Sequence, residues 1–357
     1  MRRILFLLTL VLFCLNLAAC DFAPALTVPD ISFSEANFNN NYWFNGNFWV
    51  LDDHVFYLRD GFYNEGAYWS ANGKVEKLFQ ESDFNSDDWE YNLIGDIFVS
   101  DAYLYFEILT DQENFLYRYD LKERTYTLVC ETPKLFRWVI VEDYFIYREH
   151  PANNSEKQAP LCIYHLKDGT TKQVCSNVEE FGIVDGQLRY ITLSDHYELF
   201  QYSYAEDDST LIGTFAMNGD KEFDIFNFTS GFVVMYTFQK NNPDLFVYSC
   251  ASNTTSVYTL PKGIHHVVAY DQYAYLVVYD EPSNQSGGVS AKENGIYRIC
   301  LADGSYEVVD TKINSYTEVH VISDDCFYIN QGHDVVYRYD YTTGTKEKIA
   351  ALKVILN

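Results

Sequence analysis

The chain has 357 residues and a formal net charge of −26, because 51 aspartates and glutamates outweigh 25 lysines and arginines. It lacks the clustered basic residues that displace counterions from nucleic acid, so no nucleic-acid partner is expected. Aromatic residues make up 17% of the chain, with 31 Tyr and 26 Phe, which indicates a large aromatic core.

The first twenty residues form a pattern of their own. Arg2 and Arg3 precede a short apolar run over 4–15, and the sequence LAAC follows at 17–20. A basic start, an apolar run too short to span a bilayer and small residues before a cleavage point are typical of a secretory signal. The LAAC segment resembles the lipobox of bacterial lipoprotein signals, in which the peptide is cleaved before a cysteine that receives a diacylglycerol.

This resemblance implies a lipoprotein signal peptide over 1–19 and lipidation of Cys20. An ordinary secretory signal that contains a cysteine by chance is the alternative. Residues 20–40 contain Pro and several Asn without periodicity, which predicts a flexible tether. We therefore expect a protein anchored by lipid to the extracytoplasmic face of the cell membrane, with a single domain over 41–357.

A tandem pattern fills that domain. An apolar stretch that ends in tyrosine, followed by an aromatic strand and a turn, recurs about every 45 residues, which is the period of one four-stranded propeller blade. The anchoring tyrosines are Tyr57, Tyr105, Tyr147, Tyr190, Tyr236, Tyr275 and Tyr328. The chain is thus predicted to be all-β, a β-propeller of seven four-stranded blades. Six or eight blades are alternatives, because the copies near Tyr190 and Tyr236 are degenerate.

Asp, Gly and Asn turns divide each unit into four strands. In the second unit the predicted strands are 93–99, 103–108, 115–121 and 126–130. In the third unit they are 136–141, 145–148, 161–166 and 172–175. Several strands are apolar at successive positions, which is typical of a sheet covered on both faces. Every anchoring tyrosine is therefore predicted to lie in the core.

Three units contain a tyrosine-arginine strand: LYRYD at 116–120, IYRI at 296–299 and VYRYD at 336–340. Over residues 42–350 this pattern resembles a family of uncharacterised bacterial surface lipoproteins whose propeller is similar to that of low-density-lipoprotein-receptor-related proteins. The receptor family's Tyr-Trp-Thr-Asp signature is absent here. The resemblance implies a propeller domain of unknown function and brings no catalytic residue with it.

The cysteine positions do not indicate a disulfide framework or a metal site. Cys14 leaves with the predicted signal and Cys20 takes the lipid, so six other cysteines remain, and none forms a CxxC pair, which argues against zinc and against a thioredoxin-like site. Cys162 and Cys175 are expected on neighbouring strands, where a disulfide is conceivable in an exported protein. Buried free thiols are the favoured interpretation.

Acidic residues recur at the turn before the second strand of a unit: Asp53, Asp101, Asp143, Asp271 and Asp324. Aspartate in such a turn accepts backbone N–H bonds, which is the simplest interpretation. Because these turns share one rim of the predicted ring, the same residues are candidate contacts for cations or a basic partner.

Two histidines are the other candidate contact residues. His266 and His320 lie near the start of the inner strands of successive units, which places them near the predicted axis. Adjacent strand residues point to opposite faces, so His265 and His266 do not face one site. Packed or solvated histidines are the alternative interpretation.

Known catalytic motifs are missing from the sequence. It contains no GxSxG, HExxH, Walker loop, GxGxxG or aspartate-rich calcium loop. We therefore predict a non-catalytic monomer without cofactor or metal, which binds a protein or glycan partner and meets the membrane only through its lipid. The alternative is an envelope glycan-active enzyme, a hydrolase or lyase, with acidic residues in the axial cleft.

Overall fold

The described part of the chain is built from strands, which confirms the all-β prediction. The computed structural model describes residues 48–351 except 52–53, 59–65, 72, 85–91, 101, 112, 151–157, 217–222, 238–243, 260–263, 280–293, 315–316, 322–325 and 332–334. Twenty-seven strands and one 3-10 turn, Glu81–Phe84, occur within these ranges. No helix in them is long and apolar enough to cross a membrane.

Two four-stranded antiparallel sheets come first along the chain. The first contains β1 Phe48–Leu51, β2 His54–Leu58, β3 Ala67–Ala71 and β4 Lys74–Phe79. The second contains β5 Asn92–Ser100, β6 Tyr103–Thr110, β7 Asn114–Asp120 and β8 Thr125–Thr132. The strands predicted for the second unit match the second sheet to within two residues at each end.

A seven-stranded sheet follows. Its strands are β9 Leu135–Val141, β10 Tyr144–Glu149, β11 Ala159–His165, β12 Thr171–Val184, β13 Gln187–Leu193, β14 Tyr197–Ser203 and β15 Asp208–Phe215. The long strand β12 pairs with β11 through its first half and with β13 through its second half. Two four-stranded units therefore share this strand, and the degenerate region near Tyr190 is a regular unit.

Three further four-stranded sheets complete the described chain. The next contains β16 Ile225–Phe228, β17 Phe232–Tyr236, β18 Asp244–Ser249 and β19 Thr254–Thr259. Another contains β20 Ile264–Tyr270, β21 Tyr273–Val278, β22 Gly295–Cys300 and β23 Tyr306–Asp310. The last contains β24 Thr317–Val321, β25 Cys326–Gln331, β26 Val335–Asp340 and β27 Thr345–Ala351.

The core lies between the sheets. The first three strands of a unit are mostly buried, whereas the outermost strand is mostly exposed. This pattern arises because neighbouring sheets cover both faces of each sheet, so apolar residues occupy successive positions. The anchoring tyrosines are all buried as predicted, between 1% and 7% exposed: Tyr57, Tyr105, Tyr147, Tyr190, Tyr236, Tyr275 and Tyr328.

Hydrophobic clusters join each sheet to the next, and one of them joins the last sheet to the first. In that cluster Val50 and Tyr57 of the first sheet pack with Cys326, Tyr328 and Val336 of the last. Strands β3 and β27 are also in contact. The first and last sheets therefore bury apolar surface against each other, although no ladder between described strands connects them.

Side-chain hydrogen bonds also connect the inner strands of neighbouring sheets. The indole Nε1 of Trp49 donates to the Ile97 carbonyl at 2.7 Å, which joins β1 to β5. Asn227 Nδ2 donates to the Val267 carbonyl at 3.4 Å, which joins β16 to β20. These bonds satisfy buried polar atoms and fix the position of one sheet relative to the next.

The six described cysteines are free thiols: Cys130, Cys162, Cys175, Cys250, Cys300 and Cys326. Leu161 lies opposite Cys175 on the paired strand, and Cys162 lies opposite Gln173. Only Cys162 and Cys326 are buried, so the interpretation as buried free thiols fits these two, whereas the other four thiols are partly exposed.

We expect Tyr328→Ala to destabilise the chain strongly, because Tyr328 is 1% exposed between the first and last sheets. Deleting a buried aromatic ring from a packed core costs about 3 kcal/mol or more. The control is Tyr306→Ala, since Tyr306 is 59% exposed on β23. Urea unfolding of both variants tests this. Equal loss of stability would show that the sheets do not depend on this contact.

Candidate functional site

The predicted rim aspartates lie in hairpin turns where the structure describes them. Asp143 and Asp271 occupy the turns before β10 and β21. Glu142 and Asp271 have φ angles of 50° and 48°, the left-handed conformation of tight hairpin turns. Asp143 forms an exposed ion pair with Lys167. Both residues thus lie in turns as the sequence pattern predicts, whereas the backbone N–H bonds expected for their carboxylates and a contact role both stay predictions.

The other rim aspartates and the lipidation site lie outside the described residues. These are Asp53, Asp101, Asp324 and Cys20. Their predicted roles are neither supported nor opposed by the fold.

His266 and His320 lie on the neighbouring inner strands β20 and β24 and are 2% and 1% exposed. His266 Nε2 lies 3.1 Å from the Val319 carbonyl, and His320 Nε2 lies 3.9 Å from Glu318 Oε2. Burial lowers the pKa of His266 to about 4, although the Glu318 carboxylate opposes this shift. The imidazole of His266 is therefore neutral at physiological pH and joins two sheets. A partner contact at either histidine stays a prediction.

No three His, Cys, Asp or Glu side chains within the described ranges are arranged to hold a metal ion. The titratable residues with the clearest chemistry lie elsewhere, in the second and third units.

These residues lie beside an irregularity in the pairing of β5 with β6. Ile94 pairs with Ile108 and Ile97 pairs with Phe106, so Gly95 and Asp96 together lie opposite the single residue Glu107. This is a β-bulge, a feature that redirects side chains and is common beside active sites. A Cβ atom at Gly95 would lie 3.1 Å from the Glu107 Cβ atom. Glycine therefore lets the two strands approach closely where the carboxyls lie.

Glu107 has an unusual environment for a glutamate. It is 5% exposed and, among the described residues, its Oε1 atom has no hydrogen-bond partner. Burial and, to a smaller extent, the negative charge of Asp96 raise the pKa of Glu107 to about 8, although Trp138 opposes the shift in part. Burial disfavours the charged form because low-polarity surroundings solvate it poorly. Glu107 is therefore a carboxylic acid that keeps its proton at neutral pH.

Asp96 differs from Glu107 in its exposure and in its nearest charge. Asp96 as a residue is partly exposed, whereas Glu107 is buried. Burial raises the pKa of Asp96 to about 6, and the Arg137 guanidinium opposes that shift. At neutral pH Asp96 is therefore mostly ionised while its neighbour Glu107 is protonated.

The next inner strands complete the cluster. Arg137 and Trp138 are consecutive on β9, and Arg137 forms an ion pair with Glu180 of β12. Glu180 Oε1 also accepts a hydrogen bond from the Phe181 backbone N–H at 3.0 Å. A second inner-strand bulge lies next to Glu180, between Val178 and that residue. Three successive units thus contribute to one group of four ionisable side chains and a tryptophan, which we call the bulge cluster: Asp96, Glu107, Arg137, Trp138 and Glu180.

Sequence reasoning missed the bulge cluster. The signal was present as a glutamate inside the apolar strand YLYFEILT and as a Gly-Asp pair inside NLIGDIFVS. A charged residue in an otherwise buried strand marks a group that has a partner or a function. Arg137 and Trp138, which act on these two carboxyls, lie on another sheet, and a scan of local motifs does not reveal such contacts.

The sequence matches no protein-family model and no curated protein, but solved structures resemble the fold. An oligogalacturonate lyase in complex with manganese has a TM-score of 0.51 and 11% identity, over 64% of this chain and 72% of that chain. A prolyl endopeptidase has a TM-score of 0.57 and 15% identity, over 90% of this chain and 51% of that one. For oligopeptidase B from Leishmania major the TM-score is 0.54 and the identity 8%, over 86% and 48%.

These neighbours are β-propeller proteins, so the likeness establishes a β-propeller fold for this chain. At such low identity it establishes the fold alone. The chain also spans only about half the length of the two peptidases that it resembles.

The prediction of a non-catalytic protein is wrong. It was drawn from the absence of short catalytic motifs, yet the neighbours of this fold are a lyase and several peptidases. Missing motifs are therefore no ground for excluding an enzyme of this fold, since catalytic groups can come from different strands instead of one contiguous segment.

We expect Glu107→Gln to gain stability relative to the natural chain as pH rises. The folded chain holds the Glu107 proton up to about pH 8, whereas an unfolded glutamate releases it near its ordinary pKa of 4.5. Stability of the natural chain therefore falls as pH rises through that window, and glutamine has no proton to lose. Melting temperatures at about pH 5 and about pH 8 measure the difference.

The matched control is Glu123→Gln, because Glu123 is exposed in the turn after β7. Its difference from the natural chain is expected to be the same at both pH values. A Glu107→Gln difference that is also independent of pH would contradict the raised pKa.

Proposed function

We propose that this chain is an extracytoplasmic glycan-active enzyme, a hydrolase or lyase, that works through the bulge cluster. One observation carries the proposal: the β-bulge in β5 sets Asp96 beside Glu107 within a mostly buried strand pair. Burial raises the two pKa values to about 6 and about 8, so one carboxyl is ionised and the other protonated at neutral pH. A pair of carboxyls with separated pKa values is the arrangement that cleaves glycosidic bonds by acid–base catalysis.

The protonation states assign the roles. Glu107 donates its proton to the leaving glycosidic oxygen as the C–O bond breaks, which makes it the general acid. In a hydrolase, the ionised Asp96 attacks the sugar carbon or takes a proton from the attacking water. In a lyase, Asp96 removes the proton on the carbon next to the sugar carboxylate, and a C=C bond forms as the leaving oxygen departs.

Arg137 supports either route because it is a fixed positive charge beside Asp96. Its guanidinium opposes protonation of Asp96, which keeps the base ionised. The ion pair with Glu180 holds the guanidinium at the junction of two units. A cation placed in advance where negative charge develops stabilises that charge without rearrangement.

The architecture proposed for the enzyme is a ring of seven four-stranded blades. Five four-stranded sheets and the seven-stranded sheet, which contains two units, together supply seven units. Contact between the last sheet and the first supports closure. In such a ring the bulge cluster lies on the inner strands and on β6 next to them, and the proposal requires an axial cleft through which a substrate reaches Asp96. The oligogalacturonate lyase that shares the fold supports a glycan as substrate.

The cellular location remains a proposal from the sequence. Residues 1–19 are proposed as a signal and Cys20 as the lipidated N-terminus of a protein at the extracytoplasmic face of the cell membrane. The similarity of the tyrosine-arginine strands to the propeller of receptor-related surface lipoproteins agrees with that location. Such an anchor would hold the enzyme beside envelope glycans.

An activity assay tests the catalytic proposal. The natural chain is incubated with polyuronates and with peptidoglycan glycan strands, and new reducing ends are measured. The ultraviolet absorbance of an unsaturated product distinguishes a lyase from a hydrolase. We expect Asp96→Asn and Glu107→Gln each to lower kcat by about 10²–10⁴-fold. Glu123→Gln and Asp271→Asn, which alter exposed carboxylates in turns, are the controls.

The pH profile of the active enzyme provides a second measurement. The rate should rise as Asp96 ionises near pH 6 and fall as Glu107 ionises near pH 8. No turnover of any glycan, or full activity in both variants, would overturn the assignment.

Cys20→Ser tests the proposed anchor. We expect the natural chain to carry acyl chains at Cys20 and to fractionate with membranes, and the variant to carry none. Mass spectrometry of the N-terminal peptide measures this directly, with Cys130→Ser as the control. A mature natural chain without acyl groups would contradict the anchor.

A further inference from the structure

Gly95 is one of the two residues in the β5 bulge. Glycine is usual at a bulge where the backbone has a positive φ angle, which other residues adopt at a cost. The φ angle of Gly95 lies outside the left-handed range, unlike those of Gly73 and Gly186 in hairpin turns. Space beside the strand, and not its backbone conformation, therefore explains the glycine.

The Glu107 side chain takes up that space. A Cβ atom at Gly95 would lie 3.1 Å from the Glu107 Cβ atom, 3.3 Å from Glu107 Oε2 and 3.3 Å from Leu109 Cδ1. All three atoms belong to side chains of β6, and the distances are shorter than those of an ordinary van der Waals contact. The Glu107 carboxyl therefore lies over the bare α-carbon of Gly95, beside Asp96.

Trp138 bounds the same carboxyl from the neighbouring sheet. It is 4% exposed on β9 and packs against Phe98 of β5 and Phe145 of β10, with ring centroids 6.0 Å and 5.8 Å away. Among the described residues its Nε1 atom forms no hydrogen bond of ordinary geometry. The indole N–H nevertheless opposes the rise in the pKa of Glu107, so it acts on that carboxyl.

The two neighbours affect the Glu107 proton in opposite ways. Gly95 lets the carboxyl lie close to Asp96, whose negative charge helps to raise the pKa of Glu107. The Trp138 N–H favours the charged carboxylate, so it lowers that pKa in part. Opposite signs separate these two effects from a general change in packing, which would act in one direction.

We propose that Gly95 and Trp138 are positioning residues for Glu107: Gly95 gives the carboxyl a place against β5 beside Asp96, and Trp138 holds it there from β9. The value of this placement for catalysis rests on the proposed function, in which Glu107 is the general acid, whereas the placement itself does not. A general acid is effective when its proton is held in one place and its pKa is near the working pH.

NMR titration of the Glu107 carboxyl carbon, in the full chain labelled selectively at glutamate, tests the placement without any substrate. In Gly95→Ala the added methyl group turns the carboxyl aside or separates β5 from β6, and either movement takes the carboxyl away from Asp96. Because Glu107 is already buried, the methyl group excludes little further water from it. We expect the midpoint to fall from its natural value of about 8 by about half a pH unit or more.

Replacement of Trp138 by benzothienylalanine removes the indole N–H and keeps the shape of the ring, because sulfur takes the place of the nitrogen. We expect the Glu107 midpoint to rise above 8 by about half a pH unit or more, since the carboxylate loses a donor. A general loosening of the core would instead lower the midpoint in both variants, toward the ordinary glutamate pKa of 4.5.

The matched controls make the same two changes elsewhere in the chain. Gly213→Ala adds a methyl group beside another register shift, on β15, where it crowds the Tyr248 hydroxyl. Benzothienylalanine at Trp69 removes an N–H that donates to His54 Nδ1 at 2.9 Å. Neither control should move the Glu107 midpoint, and circular dichroism shows whether each variant is folded.

The outcomes for the placement and for the proposed function can be told apart. In an active enzyme the loss of rate at high pH should follow the midpoint, to lower pH in Gly95→Ala and to higher pH in the Trp138 variant. The expected midpoints without turnover of any glycan would support the placement and refute the proposed function. A midpoint that stays near 8 in either folded variant, shifts in the same direction, or an equal shift in a control would overturn the placement. If Gly95→Ala does not fold, the Trp138 variant decides alone.

Discussion

The fold depends on the packing of aromatic side chains between sheets that are buried on both faces. A four-stranded sheet alone would expose two apolar faces to water, and each face here is covered by the sheet before it or after it. Tyrosine serves this position because its ring fills the space between sheets while its hydroxyl reaches a polar partner, as Tyr197 does with the Phe223 N–H.

The same burial produces the chemistry of the bulge cluster. Packing that excludes water from β6 also surrounds Glu107, and burial without a cationic partner favours the neutral, protonated acid. Asp96 lies opposite on the bulged strand, where burial also raises its pKa but the Arg137 guanidinium opposes the shift, so the two carboxyls differ in pKa although they are neighbours. The bulge lets Asp96 of β5 and Glu107 of β6 lie side by side in two strands whose other residues mostly form the core. The proposed chemistry and the burial of the core therefore both depend on the irregular pairing of β5 with β6.

Much of the fold could be predicted because it depends on local pattern. Strand limits, hairpin turns and the burial of Tyr57 or Tyr328 follow from composition and spacing. The sharing of β12 by two units could not, since it depends on how two sheets meet. Asp96 and Glu107 come together through a register shift, and Arg137 reaches them from another sheet, so no motif joins them along the chain. The rim aspartates gave the clearer sequence pattern, yet Asp271 is explained by its turn.

The most direct test of this account is an NMR titration of the Glu107 carboxyl carbon in chain labelled selectively at glutamate. Comparison with Glu107→Gln assigns the resonance. The account predicts a midpoint near pH 8, at which the buried acid finally ionises. A midpoint near the ordinary glutamate pKa of 4.5 would contradict it, because Glu107 would then be ionised at neutral pH and could not donate a proton to a leaving group.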